Sequence, residues 1–243
     1  MSSKLRLDQL LVERGLFVSR EKAQRAVMAG LVFVEGQKAD KPGRQLKDDA
    51  VVEVQAGDKY VGRGGLKLEG ALDYWQIPVE GRVGLDIGAS TGGFTDCLLQ
   101  RGASRVHAVD VGHSQLDWKI RSDTRVIVRE GLNARYLAFQ DLGEFADIIV
   151  SDVSFISLTL ILPAAFALLA PEGDMVVLIK PQFELTPDKI GKGGVVREAA
   201  YHEEAIERIR TFVTEAGKRW VDVMRSPITG REGNVEFLAH LKS

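Results

Sequence analysis

Two charged residues stand where apolar runs end, and for the second of them surface solubility is a poor explanation. Asp152 follows Ile148-Ile-Val150 and Ser151, and Lys180 follows Met175-Val-Val-Leu-Ile179 immediately before Pro181. A carboxylate and an amine at strand ends can orient a weakly acidic hydroxyl and help it lose its proton. Lys67, on a helix expected to open after Gly64-Gly65, and Glu236, in the final expected strand, complete a Lys-Asp-Lys-Glu set. A lysine beside a second cation gives up its proton more readily, while carboxylates orient it and oppose that loss. Taken singly, Lys67 is equally a solvated lysine and Glu236 equally half of a cross-strand ion pair.

A glycine-rich turn follows another apolar run. Val83–Ile87 is succeeded by Gly88-Ala89-Ser90-Thr91-Gly92-Gly93, and a helix is expected from Phe94 to about Arg101. Such a turn offers backbone N–H groups and a helix N-terminus to a polar or anionic ligand. Ser90 occupies the second glycine position of the dinucleotide fingerprint G-x-G-x-x-G, which disfavours NAD. Asp86, two residues before Gly88, suits a cationic ligand, and Asp110, closing the next strand, suits ribose hydroxyls. Each has a plainer reading: Gly92 and Gly93 as tight packing, Asp110 as a helix cap, and Asn133 as a turn residue rather than a contact to an adenine.

LDIGASTGGF with its downstream acid resembles motif I of the class I methyltransferases. The resemblance implies S-adenosylmethionine, which carries an ammonium and a sulfonium, held by Asp86, Gly88, Ala89, Ser90, Gly92, Gly93, Phe94, Asp110, Asn133 and Asp152.

These residues need a scaffold that brings strand ends together. Apolar strands at Val83–Ile87, Val106–Val109, Arg125–Val128, Ile148–Val150 and Met175–Ile179 alternate with helical stretches around Ser114–Lys119 and Ser157–Ala170. A long helix over about Ala199–Ala216 and strands near Trp220–Met224 and Val235–Leu241 follow. The alternation predicts an α/β fold with a mostly parallel sheet covered on both faces, whose ligands bind at the carboxyl ends of the strands.

The front of the chain reads differently. Leu7, Leu10 and Leu11 recur at helical spacing up to Gly15, and Ser19 is suited to cap a second helix that Gly30 closes. Strands at Leu31–Val34 and Val51–Val54 complete a small α+β unit. RLDQLL, the Arg14-Gly15 turn, SREKA, the strand between Gly30 and Gly36, and Lys41-Pro-Gly43 together resemble the S4 RNA-binding domain over Leu5 to about Val54. The resemblance implicates Arg6, Arg20, Lys22, Arg25, Lys41 and Arg44 in RNA phosphate contacts. Residues 1–64 hold 12 Lys/Arg against 9 Asp/Glu, leaving 20 against 25 for the rest, so the excess positive charge lies at the front.

Composition excludes several classes. With 45% hydrophobic and 27% charged residues the 243-residue chain is neither disordered nor fibrous. A lone cysteine, Cys97, rules out an internal disulfide and a zinc site built on Cys pairs, and His107, His113, His202 and His240 lack ligand-like spacing, so no metal is expected. Charges interrupt every apolar run near the N-terminus, which predicts a cytoplasmic protein without a secretory leader. Phe155–Ala170, the longest apolar stretch, is shorter than the roughly 20 residues of a spanning helix and is expected as a buried helix, with no membrane partner.

Lys67, Asp152, Lys180 and Glu236 together resemble the tetrad of the FtsJ-like ribose 2′-O-methyltransferases, in which the second lysine activates the hydroxyl and the others position it. An S4 domain joined to such a domain, with GRGGLKLEGAL, LDIGASTGGFTDCLL, SDVSFISL, KPQFE and GKGGVVRE, is similar to the TlyA (hemolysin A) family. The resemblance implies a seven-stranded Rossmann-like domain at 66–243, an S4 domain at 1–56 and a linker at 57–65. It also implies 2′-O-methylation of a cytidine in ribosomal RNA or a ribosomal subunit, in 23S rRNA and in some members also 16S rRNA, by an enzyme assumed monomeric. The short N-terminal lead and the end just after the last strand resemble the subtype acting on 23S rRNA alone. Gly191–Arg197 is expected either as a mobile substrate-facing loop with Lys192 and Arg197 near phosphate, or as a plain connection. Two other readings remain open: a pore-forming toxin, which needs a membrane-spanning or membrane-lying segment, and a non-catalytic RNA-binding assembly factor.

Overall fold

The computed structural model describes residues 4–55, 57–230 and 232–243. The chain divides into two compact units, Met1–Asp58 and Lys59–Ser243.

In the first unit, β1 (Lys4–Arg6) leads directly into α1 (Leu7–Glu13), followed by α2 (Arg20–Met28), β2 (Val32–Val34), β3 (Gln37–Lys38), β4 (Gln45–Lys47) and β5 (Val52–Val54). The side chain of Ser19 accepts a hydrogen bond from the Lys22 N–H, as its N-cap position predicts. Leu7, Leu10 and Leu11 from α1 pack on Ala23, Ala26 and Val27 from α2 and on Val32 and Val34, giving this unit its own core. β2 pairs antiparallel with β3 and β5, and β1 with β4. The sequence predicts the helices and the valine-rich strands β2 and β5, whereas β1, β3 and β4, made largely of Lys, Arg and Gln, carry no apolar signal.

The second unit begins with α3 (Gly64–Tyr74) and runs β6 (Val83–Ile87), α4 (Gly93–Gln100), β7 (Arg105–Asp110), α5 (Trp118–Arg121), β8 (Val126–Glu130), α6 (Phe139–Leu142), β9 (Ala146–Ser151), α7 (Leu162–Leu168), β10 (Leu169–Ile179), α8 (Pro181–Glu184), α9 (Ala199–Glu215), β11 (Arg219–Arg225) and β12 (Phe237–Lys242). The sheet order is β11-β12-β10-β9-β6-β7-β8. β10, β9, β6, β7 and β8 are mutually parallel, and β12 lies antiparallel between β10 and β11. This is the seven-stranded, mostly parallel sheet expected.

Side chains alternate with the period of two that a strand requires. Met175, Val177 and Ile179 of β10 enter the core beneath α7 and α9, and Val176 and Leu178 enter the core beneath α3 and α4. Burial on both faces explains why these strands read as unbroken apolar runs. The stretch expected as one helix over Ser157–Ala170 is instead a 3-10 turn, Leu158–Leu160, followed by α7, which stops at Leu168. The short helix expected at Ser114–Lys119 forms later, at Trp118–Arg121. Part of the segment read as a linker over 57–65 packs on the second unit. Tyr60 is buried, the Val61 N–H donates to Asp96 Oδ2 at 2.9 Å, and Gly64 and Gly65 already belong to α3.

Candidate active site

β6 has β7 on one side and β9 on the other, so the chain leaves it in opposite directions and a crevice opens beyond the carboxyl ends of the strands. An open cleft of about 1250 Å³ lies there. Gly88, Ala89, Ser90, Gly93, Phe94, Asp110 and Asn133 line it together with Lys67, Asp152, Lys180 and Glu236.

Each tetrad residue reaches the cleft from a different element. Asp152 follows β9 and Lys180 follows β10. Glu236 precedes β12, whose antiparallel register sets Phe237 opposite Ile179 and so returns Glu236 to the same sheet edge as Lys180. Lys67 lies in the first turns of α3, held by an approach only glycine permits. A Cβ on Gly93 would come within 2.9 Å of the Gly62 carbonyl oxygen and 3.0 Å of the Gly65 nitrogen, and one on Gly62 would meet Thr91 Oγ1 at 2.5 Å. The glycines of GRGG and of the β6–α4 turn thus fit against each other, which carries Lys67 to Asp152.

The four charges form one chain of contacts. Lys180 Nζ is 2.6 Å from Asp152 Oδ1, Lys67 Nζ is 3.4 Å from Asp152 Oδ2 and 2.7 Å from Glu236 Oε2. Lys67, Lys180 and Glu236 are buried and Asp152 half-buried. Two cations and two carboxylates sum to zero, which is the condition under which buried charge is tolerated. Lys180 Nζ also donates to Ser154 Oγ at 2.8 Å. Ser154 is not singled out by the sequence, although its place two residues after Asp152 in SDVS is the available signal.

The glycine turn is bound to the acid of the next strand. The Ser90 N–H donates to Asp110 Oδ2 at 2.8 Å and the Gly112 N–H to Asp110 Oδ1 at 2.7 Å. Gly88 has φ +84, and a Cβ there would lie 2.9 Å from the Asp152 carbonyl oxygen, so this glycine also holds the β9 end close. Asp86 and Gly92, expected among the ligand-binding residues, do not line the cleft. Asp86 is wholly buried and accepts from Thr95 Oγ1 at 2.6 Å, and Gly92, at φ +96, packs against Leu116 and Ile120. Burial pushes the Asp86 carboxyl up to about 7, against the Thr95 bond and with a further push from Asp152. Its Oδ1 has no partner among the described residues, so the acid sits one layer beneath the glycine turn as a carboxyl with spare capacity. Asn133 lines the cleft and is exposed, while its Oδ1 accepts from the Arg135 N–H at 3.1 Å, so the turn reading describes the bond it makes.

Gly191–Arg197 is held to Asn234 by two hydrogen bonds. Asn234 Oδ1 accepts from the Val196 N–H and its Nδ2 donates to the Gly194 carbonyl, both at 2.9 Å, and Val196 is buried. Lys192 and Arg197 are exposed, and Gly193 and Gly194 line the cleft.

In the first unit the basic candidates are organised by the buried carboxylate of the RLDQLL motif. Asp8, fully buried, accepts from Arg6 at 3.0 and 3.1 Å, from Arg20 at 3.3 Å and from Gln24 at 2.6 Å. The Arg6 bonds, helped by Gln24 and Arg20, hold its pKa well below the usual carboxylate range despite burial. The Lys41–Arg44 turn joins this group through the Leu7 N–H to Arg44 carbonyl bond and the packing of Arg6 over Gly43. Lys22, Lys41 and Arg44 are exposed, and Arg25 pairs with Glu21 at 2.7 Å.

Comparison with known proteins gives the same two units. The FtsJ-like methyltransferase family model matches residues 60–243 and the S4 domain model residues 5–52. The chain is 45% identical to Hemolysin A of Brachyspira hyodysenteriae, over 97% of this chain and 99% of that one. It is 42% identical to the 16S/23S rRNA (cytidine-2′-O)-methyltransferase TlyA of Mycobacterium tuberculosis, over 100% of this chain and 91% of that one. A solved structure from Streptococcus thermophilus that carries the name hemolysin superposes with a TM-score of 0.76 at 46% identity, covering 100% of this chain and 90% of that one. With the methyltransferase cleft on one unit and the S4 pattern on the other, the chain belongs to the FtsJ-like methyltransferases, within the S4-containing group whose members bear the names TlyA and hemolysin A.

Proposed function

We propose that the chain methylates the ribose 2′-hydroxyl of a cytidine in ribosomal RNA, in the 23S rRNA of the large subunit, using S-adenosylmethionine. The observation that carries this reading is the Lys67–Asp152–Lys180–Glu236 chain beside the glycine turn, in one cleft. The relative named for action on 16S/23S rRNA supports the substrate class.

The cleft suits the cofactor. Asp110 at the end of β7 and the backbone of the glycine turn, both on the cleft wall, fit a ligand with ribose hydroxyls. Gly88, Ala89, Ser90, Gly93, Phe94, Asp110, Asn133 and Asp152 would touch it, with Asp86 and Gly92 supporting from behind. When bound, S-adenosylmethionine supplies an electrophilic methyl group.

The residues of the chain do the rest. Asp152 and Ser154 fix Lys180 Nζ, which in its neutral form takes the proton that the 2′-hydroxyl loses as its oxygen attacks. Lys67, held between Asp152 and Glu236, keeps Asp152 in place and offsets its charge. In-line attack demands this fixed geometry, since alignment supplies much of the rate. In the S4 unit, Arg6, Arg20, Lys22, Lys41 and Arg44 would take RNA phosphates, with Arg25 partly occupied by Glu21. The reading also has the protein working as a cytoplasmic monomer. No helix among the described residues is long and apolar enough to cross a membrane. Incubation with methyl-labelled cofactor and separated unmodified subunits tests the proposal: label on a large-subunit cytidine ribose supports it, and label on a base or on neither subunit contradicts it.

A further inference from the structure

Four residues beyond Lys180, in Lys180-Pro-Gln-Phe-Glu184, lies a glutamate that the reaction as described does not use. Glu184 is 2% exposed. Its Oε1 accepts from the Leu158 N–H at 2.9 Å and its Oε2 from Ser157 Oγ at 2.6 Å. Both partners belong to the segment that leaves Asp152. The Asp152–Leu158 segment and the Lys180–Glu184 segment are therefore joined at both ends, by Lys180 to Asp152 and Ser154 at one and by Glu184 to Ser157 and Leu158 at the other. Between the two joints the Phe155 and Phe183 rings meet at a tilt of 50°, with centroids 5.2 Å apart. Arg208 of α9 donates to the Glu184 carbonyl at 2.6 Å, tying this frame to the body of the domain.

The frame holds a segment that would not hold itself. Phe155 has φ +63 and is 90% exposed, so a non-glycine residue keeps a left-handed backbone with little burial to favour it. Such a conformation persists when bonds on either side over-determine it. Burial is also costly for an isolated carboxylate, and the chain places one here with both oxygens satisfied.

We propose that Glu184 is a positioning residue for methyl transfer: by clamping Ser157 and Leu158 it sets the Asp152–Ser154 segment at the distance from which Asp152 and Ser154 orient the Lys180 amine. The inference rests on the reading of Asp152 and Lys180 given above.

The test uses the full-length protein, labelled cofactor and unmodified large subunits. Glu184→Ala is expected to lower the single-turnover rate by about tenfold to a hundredfold, the scale of a small misplacement of catalytic groups. Cofactor Kd and the half-saturating subunit concentration should stay within about twofold, a split that general loss of structure would not give. Glu184→Gln keeps an acceptor for the Leu158 N–H and should recover the rate to within about threefold of wild type. Hydrogen exchange gives a readout without RNA: the Leu158 amide should exchange faster in the Ala variant and remain protected in the Gln variant. If Glu184→Ala is insoluble, Ser157→Ala removes one of the two bonds and should still lower the rate measurably at unchanged cofactor Kd. A soluble variant lacking these bonds that transfers methyl at the wild-type rate overturns the inference, as does an unchanged Leu158 amide. An inactive wild-type protein would instead overturn the reading of function, with the exchange experiment still deciding whether Glu184 is the clamp.

Discussion

Lys180 Nζ sits 2.6 Å from Asp152 Oδ1, although the two residues close different parallel strands, β10 and β9. The register of neighbouring strands makes this contact: Val177 lies opposite Ser151, so the residues after each strand emerge at one edge. Lys67 on the far side of Asp152 completes a chain of alternating charge that ends at Glu236.

Exchanging a glycine where GRGG meets the cofactor turn should damage the site without touching a charge. Gly93→Ala must displace backbone, because its Cβ would lie 2.9 Å from the Gly62 carbonyl. The expected cost is about 1–3 kcal/mol of stability with a loss of activity larger than that of cofactor affinity, read by thermal melts and kinetics. Gly217→Ala, at φ +69 with open space around it, should cost about 1 kcal/mol of stability and leave activity near wild type.

Asp86 should give the domain a pH-dependent stability. Its carboxyl is raised to about 7 by burial, so the folded state keeps a proton that the unfolded chain releases near 4. Stability therefore falls as pH rises from about 4 to about 7 and levels off above that, by up to about 4 kcal/mol. Asp86→Asn should flatten this slope in urea titrations at about pH 4.5 and about pH 7.5, on either side of most of that fall. An unchanged slope would place the ionisation elsewhere.

Asp174 acts with the opposite sign. Burial would raise its pKa, but the bonds from His240 at 2.8 Å and Arg82 at 2.7 Å, with Lys242 nearby, lower it below the usual range. Its stabilisation is present above about pH 4 and is lost as pH falls further, so Asp174→Asn should weaken the protein at neutral pH more than at about pH 3. Equal destabilisation at both pH values would contradict this.

RNA binding should follow the Asp8 cluster. Arg20→Ala with Lys22→Ala should reduce affinity for large subunits and flatten its dependence on salt, by about 0.7 in log–log slope for each phosphate no longer neutralised. Asp8→Asn leaves every arginine in place but loosens Arg6 and Arg20, and should lower affinity severalfold even though the net positive charge rises. Binding unaffected by either change would move RNA recognition away from this face.

How far the sequence could be read follows from what each feature needs. The inner parallel strands β6, β7, β9 and β10 carry buried residues on both faces and announce themselves as apolar runs, and the residues at or just beyond their ends, Asp110, Asp152 and Lys180, are legible for that reason. Glu236 and Lys67 lie outside such runs and are found through family resemblance. Their meeting depends on the antiparallel register of β12 and on glycine packing between segments distant in sequence. Asp8, Ser154 and Glu184 lie within the motifs RLDQLL, SDVSFISL and KPQFE, but their roles escape a sequence reading because these depend on which backbone amides and cations the fold brings to each. The breaking of Ser157–Ala170 into a 3-10 turn and a shorter helix is likewise tertiary, since Glu184 captures the Ser157 and Leu158 groups that open it.

The most direct measurement compares wild type with Lys180→Ala on unmodified large ribosomal subunits, using methyl-labelled S-adenosylmethionine and mass mapping of the labelled nucleoside. One 2′-O-methylated cytidine is expected with wild type, and at least about a hundredfold slower transfer by the variant at unchanged cofactor affinity. Full transfer by Lys180→Ala, or label on a base rather than a ribose, would contradict this expectation.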